Sequence, residues 1–175
     1  METSRTLAFC LTGLLLAPTL SVAGWCPVSR SACGIAGLPS TVVEGIIVVE
    51  SGGHPWALHV GIGRGWSFYP KDRHEARRFL AVSLALTDNV DIGLMQVNWR
   101  TWGKTVRDLG LSAYDLLDPR INLRLGCHVL AEAMATRGSF EARLGRYHSR
   151  HRERGRWYAR RVLAAARELE AGGAE

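Results

Sequence analysis

Residues 45–56, GIIVVESGGHPW, end an apolar run on a carboxylate, Glu50, and two glycines follow almost at once. On a helix Glu50 lies seven positions after Val43, four after Ile46 and three after Ile47, so it projects with the apolar stripe. Desolvation there disfavours its charged form, and so does the negative end of a helix that stops at Gly52. Both effects raise its pKa. A carboxyl that keeps its proton near neutral pH can protonate a leaving group, which makes Glu50 a candidate catalytic acid. A buried glutamate paired with an arginine is the structural alternative.

The second group is NVDIGLMQVNW, residues 89–99. The glycine and the partial alternation indicate a loop or short strand. Gln96 and Asn98 are two apart, so in an extended segment both amides face one side. Amides with tryptophans nearby suit sugar hydroxyls, acetamido groups and the flat faces of pyranose rings. Gly93 admits a ligand or another backbone at close range. A core strand with polar outward positions is the plainer possibility.

These groups need elements to hold them. Thr41-Val-Val-Glu44 reads as a capping box that opens a helix running to about residue 51, where Gly52, Gly53 and Pro55 stop it. ALHVGIGRGWSFYP (57–70) is turn-rich with short extended pieces. Asp72 and Glu75 open a helix over 72–86 with Ala76, Phe79, Leu80, Ser83 and Leu86 on one stripe. A helix is expected over about 101–109, then a turn capped by Ser112 and Asp115. Asp118-Pro119 begins a helix whose stripe is Leu123, Cys127, Leu130 and Met134 and which Gly138 closes. Ser139 starts another toward Tyr147. After a polar connector, HSRHRERGR, a last helix runs from Trp157 to about Glu170 with Tyr158, Val162, Ala165 and Leu169 in register.

Three segments in this order carry a resemblance: ESGG (50–53), GLMQVN (93–98) and the tyrosine of LGRYHS (144–149). The chain resembles the lytic transglycosylases of the soluble, goose-type-lysozyme-like kind, and DPRINLRLGCHVLAEAM (118–134) looks like the helix between their last two motifs. The likeness covers about residues 35–165. It implies a mostly α, lysozyme-like single helical domain with a small loop and short-strand region. It also implies a cofactor-free enzyme that cleaves the β-1,4 bond between N-acetylmuramic acid and N-acetylglucosamine in peptidoglycan, leaving 1,6-anhydro ends. Glu50 matches the catalytic glutamate, Ser51 the adjoining serine, Met95, Gln96 and Asn98 the substrate-contacting stretch, and Tyr147 the tyrosine that closes the cleft.

The chain departs from the pattern in three places. Arg146-Tyr147-His148 stands where the family usually has Ala-Tyr-Asn. Asp91 stands where many relatives carry serine; it is either a second carboxylate that steadies charge at the anomeric carbon or a turn cap after Asn89. The 72–86 helix lengthens the gap between the first two motifs, which resembles transglycosylases encoded with conjugation and integrative-element type IV secretion systems. That implies partners in such an apparatus and a local opening of the cell wall. The helix either lines the cleft or docks a partner. A true lysozyme using Glu50 and Asp91, or a glycan-binding subunit without catalysis, would share most of these residues.

Composition bounds the rest. The 175 residues suit one domain, with 47% hydrophobic residues and mean hydropathy near zero. Residues 1–23 read as a cleaved signal peptide ending in Ser21-Val22-Ala23, so residues 24–175 form the mature, periplasmic domain without a stable membrane anchor. Of the four cysteines, Cys26, Cys33 and Cys127 remain after cleavage, and Cys127 paired to either N-terminal cysteine competes with Cys26 to Cys33. The six histidines show no zinc-like spacing, so no metal is expected. The net charge of +6 favours anionic wall polymer; the arginine-rich 146–161 stretch lacks a DNA-reading motif, which disfavours nucleic acid.

Overall fold

A computed structural model describes residues 33–172; the expected signal peptide, mature N-terminus and Cys26 lie outside the described residues. The fold is mostly helical with one small antiparallel sheet. Helix α1 spans Ser40–Ser51, β1 Leu58–Val60, β2 Trp66–Phe68, α2 Arg73–Leu86, β3 Val90–Ile92 and β4 Val97–Asn98. Then come α3 (Trp99–Asp108), a 3-10 turn (Ala113–Leu117), α4 (Pro119–Met134), α5 (Phe140–Gly145) and α6 (Arg152–Gly172). The strands lie in the order β2-β1-β3-β4.

Two apolar clusters carry the fold. In the first, Val43, Ile46 and Ile47 of α1 meet Leu123, Leu130, Leu144, Tyr158 and Val162. Gly45 lets α1 ride against α6, since a Cβ there would meet the Val162 carbonyl. The second packs the sheet's apolar face, Leu58, Val90, Ile92 and Val97, against Ala76 and Leu80 of α2 and Leu116 and Leu117 of the turn. Helix α4 joins the two through Leu123 and Leu125. A disulfide from Cys33 to Cys127 ties the start of the described chain to α4, which decides the open pairing.

Most helix signals in the sequence are used, some differently. Asp72 accepts from the Glu75 N–H at 2.7 Å, but Glu75 reaches the Lys71 N–H and not its own cap. Asp118 caps α4 with Pro119 in the first turn, and Asp115 accepts from both the N–H and the hydroxyl of Ser112. The expected capping box at Thr41 does not form. Pro39 precedes the first turn, and Thr41 donates its hydroxyl to Glu170 of α6 at 2.7 Å. Helix α4 stops at Met134, short of Gly138, and α3 begins at Trp99, two residues early, because the Asn98 side chain caps it. Helix α6 takes in half of the expected connector: Gly145 and Gly155 allow α5 and α6 to touch backbone to backbone, and that contact holds the first turn. Phe79 and Leu86, expected on the core stripe of α2, are exposed, since the sheet is only wide enough to cover Ala76, Leu80 and Ser83.

Between β3 and β4 the chain makes a buried turn, Gly93 to Gln96, held by Asn122. That fully buried amide accepts from the Met95 N–H at 2.8 Å and donates to the carbonyls of Ile92 at 2.7 Å and Leu116 at 2.9 Å. Gly93 (φ +77°) passes so close to Asn122 and the Leu116 carbonyl that no side chain fits. Asn122→Ala would leave three buried backbone groups without partners at about 1–3 kcal/mol each before relaxation. It is expected to lower the unfolding free energy by about 3 kcal/mol in urea titration; a loss under about 1 kcal/mol would mean that water replaces the amide.

Candidate active site

A cleft of about 900 Å³ runs between the two clusters. One wall is the polar face of the sheet. Strand register places Ser67, His59, Asp91 and Asn98 in a single row across all four strands, one residue per strand. His59, Asp91 and Asn98 alternate with strand neighbours that point into the core, and Ser67, between Trp66 and Phe68, lies on the same side as those three, so period-two alternation aims the row at the cleft. The facing wall comes from Val129, Glu132 and Ala133 of α4, Thr136 just after it, and Tyr147 and His148, with Arg146 and Arg150 at the lip. Glu50 closes the floor, at the last turn of α1.

Glu50 is mostly buried, and its carboxyl is pushed from an ordinary 4.5 to about 7. Loss of hydration is the main cause, and the charge of Asp91 across the cleft adds to it; Tyr158 and, more weakly, Arg161 pull the other way. The buried Tyr158 hydroxyl lies beside the Glu50 carboxyl without an aligned hydrogen-bond partner, so its effect is that of a nearby dipole rather than a full bond. No salt bridge reaches Glu50 among the described residues, which removes the paired-glutamate alternative.

Asp91 is raised above the usual carboxylate range by burial, while the Asn98 amide, at 2.8 Å, holds it back. It sits in β3, not in a turn, so it is no turn cap. His148 is lowered by burial, partly offset by Asp91. Its ring stacks on that of Tyr158 at 4.8 Å, so the residue that replaces the family's asparagine touches the glutamate's neighbour.

The structure brings Glu50, Asp91, Gln96, Asn98 and Tyr147 to one cleft and places the other two predicted residues behind its wall. Ser51 is buried, and its hydroxyl donates to the Leu94 carbonyl at 2.7 Å, which pins the buried turn to the end of α1. Met95 is fully buried, and its carbonyl accepts the Tyr147 hydroxyl at 2.7 Å. The expectation of two free amides on an extended strand also changes. Gln96 has φ +48°, and its amide N–H group donates to the carbonyls of Ala57 and Gly93, leaving only its oxygen for a ligand. Asn98 donates to Asn89 and Asp91 and accepts from Thr101, so it orients Asp91 and has little left for substrate.

Sequence reasoning missed Tyr158, His59 and Ser67. The single polar residue inside LHV and WSF was a signal for the last two; Tyr158 sat on an apolar helical stripe and gave none. Among the described residues no group of three or more His, Cys, Asp or Glu side chains is placed to hold a metal ion.

Compared with known proteins, residues 28–168 match the model of one family, described as Transglycosylase SLT domain. No curated protein and no solved structure matches the chain.

The raised Glu50 makes stability depend on pH. The folded state holds this proton up to about pH 7, whereas the unfolded chain releases it near 4.5, so stability is lost as pH rises through that window. At 1.36 kcal/mol per unit, and trimmed for the edge of the carboxyl that meets the cleft, the loss is about 2–3 kcal/mol. Glu50→Gln cannot ionise. It is expected to be more stable than the wild type by that amount above neutrality, with the advantage shrinking toward pH 4.5; parallel curves in urea titration would refute the burial.

Proposed function

The chain belongs to the Transglycosylase SLT domain family and is a peptidoglycan-cleaving lyase, and from that premise we propose that Glu50 is its proton donor and acceptor, acting on the β-1,4 bond between N-acetylmuramic acid and N-acetylglucosamine. One observation carries this reading: a carboxyl on the cleft floor with a pKa of about 7. At neutral pH it is about half protonated and ready to give a proton.

Glu50 donates its proton to the glycosidic oxygen as the bond to the anomeric carbon breaks. Positive charge grows on that carbon, and the Asp91 carboxylate across the cleft steadies it. The 6-hydroxyl of the muramic acid then closes on the anomeric carbon, and the Glu50 carboxylate takes the hydroxyl proton. One bond breaks and one forms, no water is consumed, and Glu50 regains its starting state. Tyr147 holds the buried turn through Met95, Asn98 holds Asp91, and the Gln96 oxygen is free to accept a hydrogen bond from the sugar.

A hydrolytic outcome, with water in place of the 6-hydroxyl, is the second reading, and the half-buried Asp91 facing the cleft is the observation in its favour. The residue 1–23 signal pattern supports action in the periplasm. The resemblance of the 72–86 insertion to conjugation-linked transglycosylases supports a role in opening the wall for a secretion apparatus.

Digestion of purified sacculi tests the assignment. The wild type should release fragments whose ends are one water lighter than reducing ends, and Glu50→Gln should lose about a hundredfold or more of the rate. Reducing ends would select hydrolysis; an unimpaired Glu50→Gln would remove Glu50 from the mechanism. The donor must be protonated in the free enzyme, so kcat/KM should fall about tenfold per unit above pH about 7.

A further inference from the structure

Among the described residues seven large hydrophobic side chains are exposed, and five of them, Trp66, Tyr69, Phe79, Val82 and Leu86, come from β2, the residue after it and α2. Val82 and Leu86 are 63% and 64% exposed, more than a core-facing helix would leave bare. At 100° per residue Phe79, Val82 and Leu86 form one stripe beside the buried stripe of Ala76, Leu80 and Ser83. The stripe continues onto the sheet. Phe79 stacks on Phe68 at 5.0 Å, and Trp66 shares a strand face with Phe68. The chain path puts Leu86 at the Trp66 end, because α2 leads to Val90, which pairs with Val60, the partner of Trp66.

Basic side chains outnumber acidic ones around this surface. Arg64 and Lys71 bracket β2 and its following turn, and Arg78 stands next to Phe79 and one turn before Val82; all three are exposed, and none is in a salt bridge among the described residues. The carboxylates of this stretch are engaged, Asp72 at the Glu75 N–H, Glu75 at the Lys71 N–H and Asp88 with Arg100. Aliphatic residues and an indole ringed by cations match the two layers of a bilayer surface, acyl chains below and anionic headgroups above. The same sheet sorts its faces: Ser67, the residue between Trp66 and Phe68, belongs to the row that lines the cleft.

We propose that the α2 stripe and Trp66 seat this protein on an anionic lipid surface, with Arg64, Lys71 and Arg78 at the headgroups and the cleft opening from the opposite face of the sheet. The inference is independent of how Glu50 acts. It gives the 72–86 segment a task separate from catalysis, namely to hold the enzyme at a membrane while its cleft faces the wall.

Flotation of the full chain with vesicles tests it, using phosphatidylglycerol mixed with phosphatidylethanolamine in one arm and neutral phosphatidylcholine in the other. The protein should float with the anionic vesicles, weakly with the neutral ones, and less as salt rises. Val82→Asn/Leu86→Asn should lower the anionic partition coefficient about tenfold, while its thermal transition and its digestion of purified sacculi stay unchanged. Because the apolar residues 7–23 could bind lipid in any variant, a second readout follows Trp66 itself. The fluorescence lost in Trp66→Phe should be the part that brominated lipids quench. No flotation with the anionic vesicles, or a Trp66 that their brominated lipids leave unquenched, would overturn the proposal, whatever residues 7–23 contribute to the flotation of each variant. A double variant that loses a protein partner while its vesicle binding is intact would make the surface a protein-docking face instead.

Discussion

The buried turn from Gly93 to Gln96 carries polar backbone into the space between the two apolar clusters, and unpaired backbone groups there would cost about 1–3 kcal/mol each. The fold answers most of them. Asn122 takes Met95, Ile92 and Leu116; Ser51 takes Leu94; Tyr147 takes Met95; Gln96 and the Gly93 N–H share Ala57. Three of these partners are residues that a motif reading assigns to substrate. Their hydrogen bonds show that much of the motif serves the turn, and the turn sets the end of α1 against the polar row of the sheet.

That placement determines the electrostatics of the cleft. Glu50 lies where helix and sheet lobes meet, dry enough for desolvation to dominate its titration, with Asp91 opposite and Arg161 too weak an influence to reverse it. Asp91 is less confined and has the Asn98 amide as an aligned donor at 2.8 Å, so its raised pKa is held back by a formed hydrogen bond, whereas Glu50 has only the unaligned Tyr158 hydroxyl and the weaker Arg161 charge. Two carboxyls in unlike surroundings can hold different protonation states at one pH, which acid catalysis beside a charge-stabilising group requires. The stacked rings of Tyr158 and His148 connect this pair to the loop after α5, where the chain departs from its family's usual residues.

The sheet divides labour between its faces through period two alone. Leu58, Ile92 and Val97 face α2 and build a core, while His59, Asp91 and Asn98 face the cleft. Helix α2 is longer than the sheet needs for cover. The surplus is the bare stripe of Val82 and Leu86, on the side of the sheet away from the chemistry.

Local chemistry made several things legible in the sequence. The apolar spacing before Glu50 set its inward aim, Gly52 set the helix end, and Asp118-Pro119 and Ser139 set two helix starts, because caps and stripes depend on residues within a turn of one another. The same locality hid the rest. Thr41 offered a capping box but bonds Glu170 of α6, a partner 129 residues away. Gly155 read as a linker until Gly145 came against it, and Tyr158 read as core until Glu50 lay beside it. Whether Ser51 and Asn98 face sugar or backbone depended on which carbonyls and carboxylates the tertiary fold brought within about 3 Å of them. The sequence by itself determined which carboxyl ends the apolar stripe of α1 and the direction it points. Only the tertiary structure decided what surrounds it, because desolvation, the Asp91 field and the free valence of each amide come from segments that meet only in the folded chain.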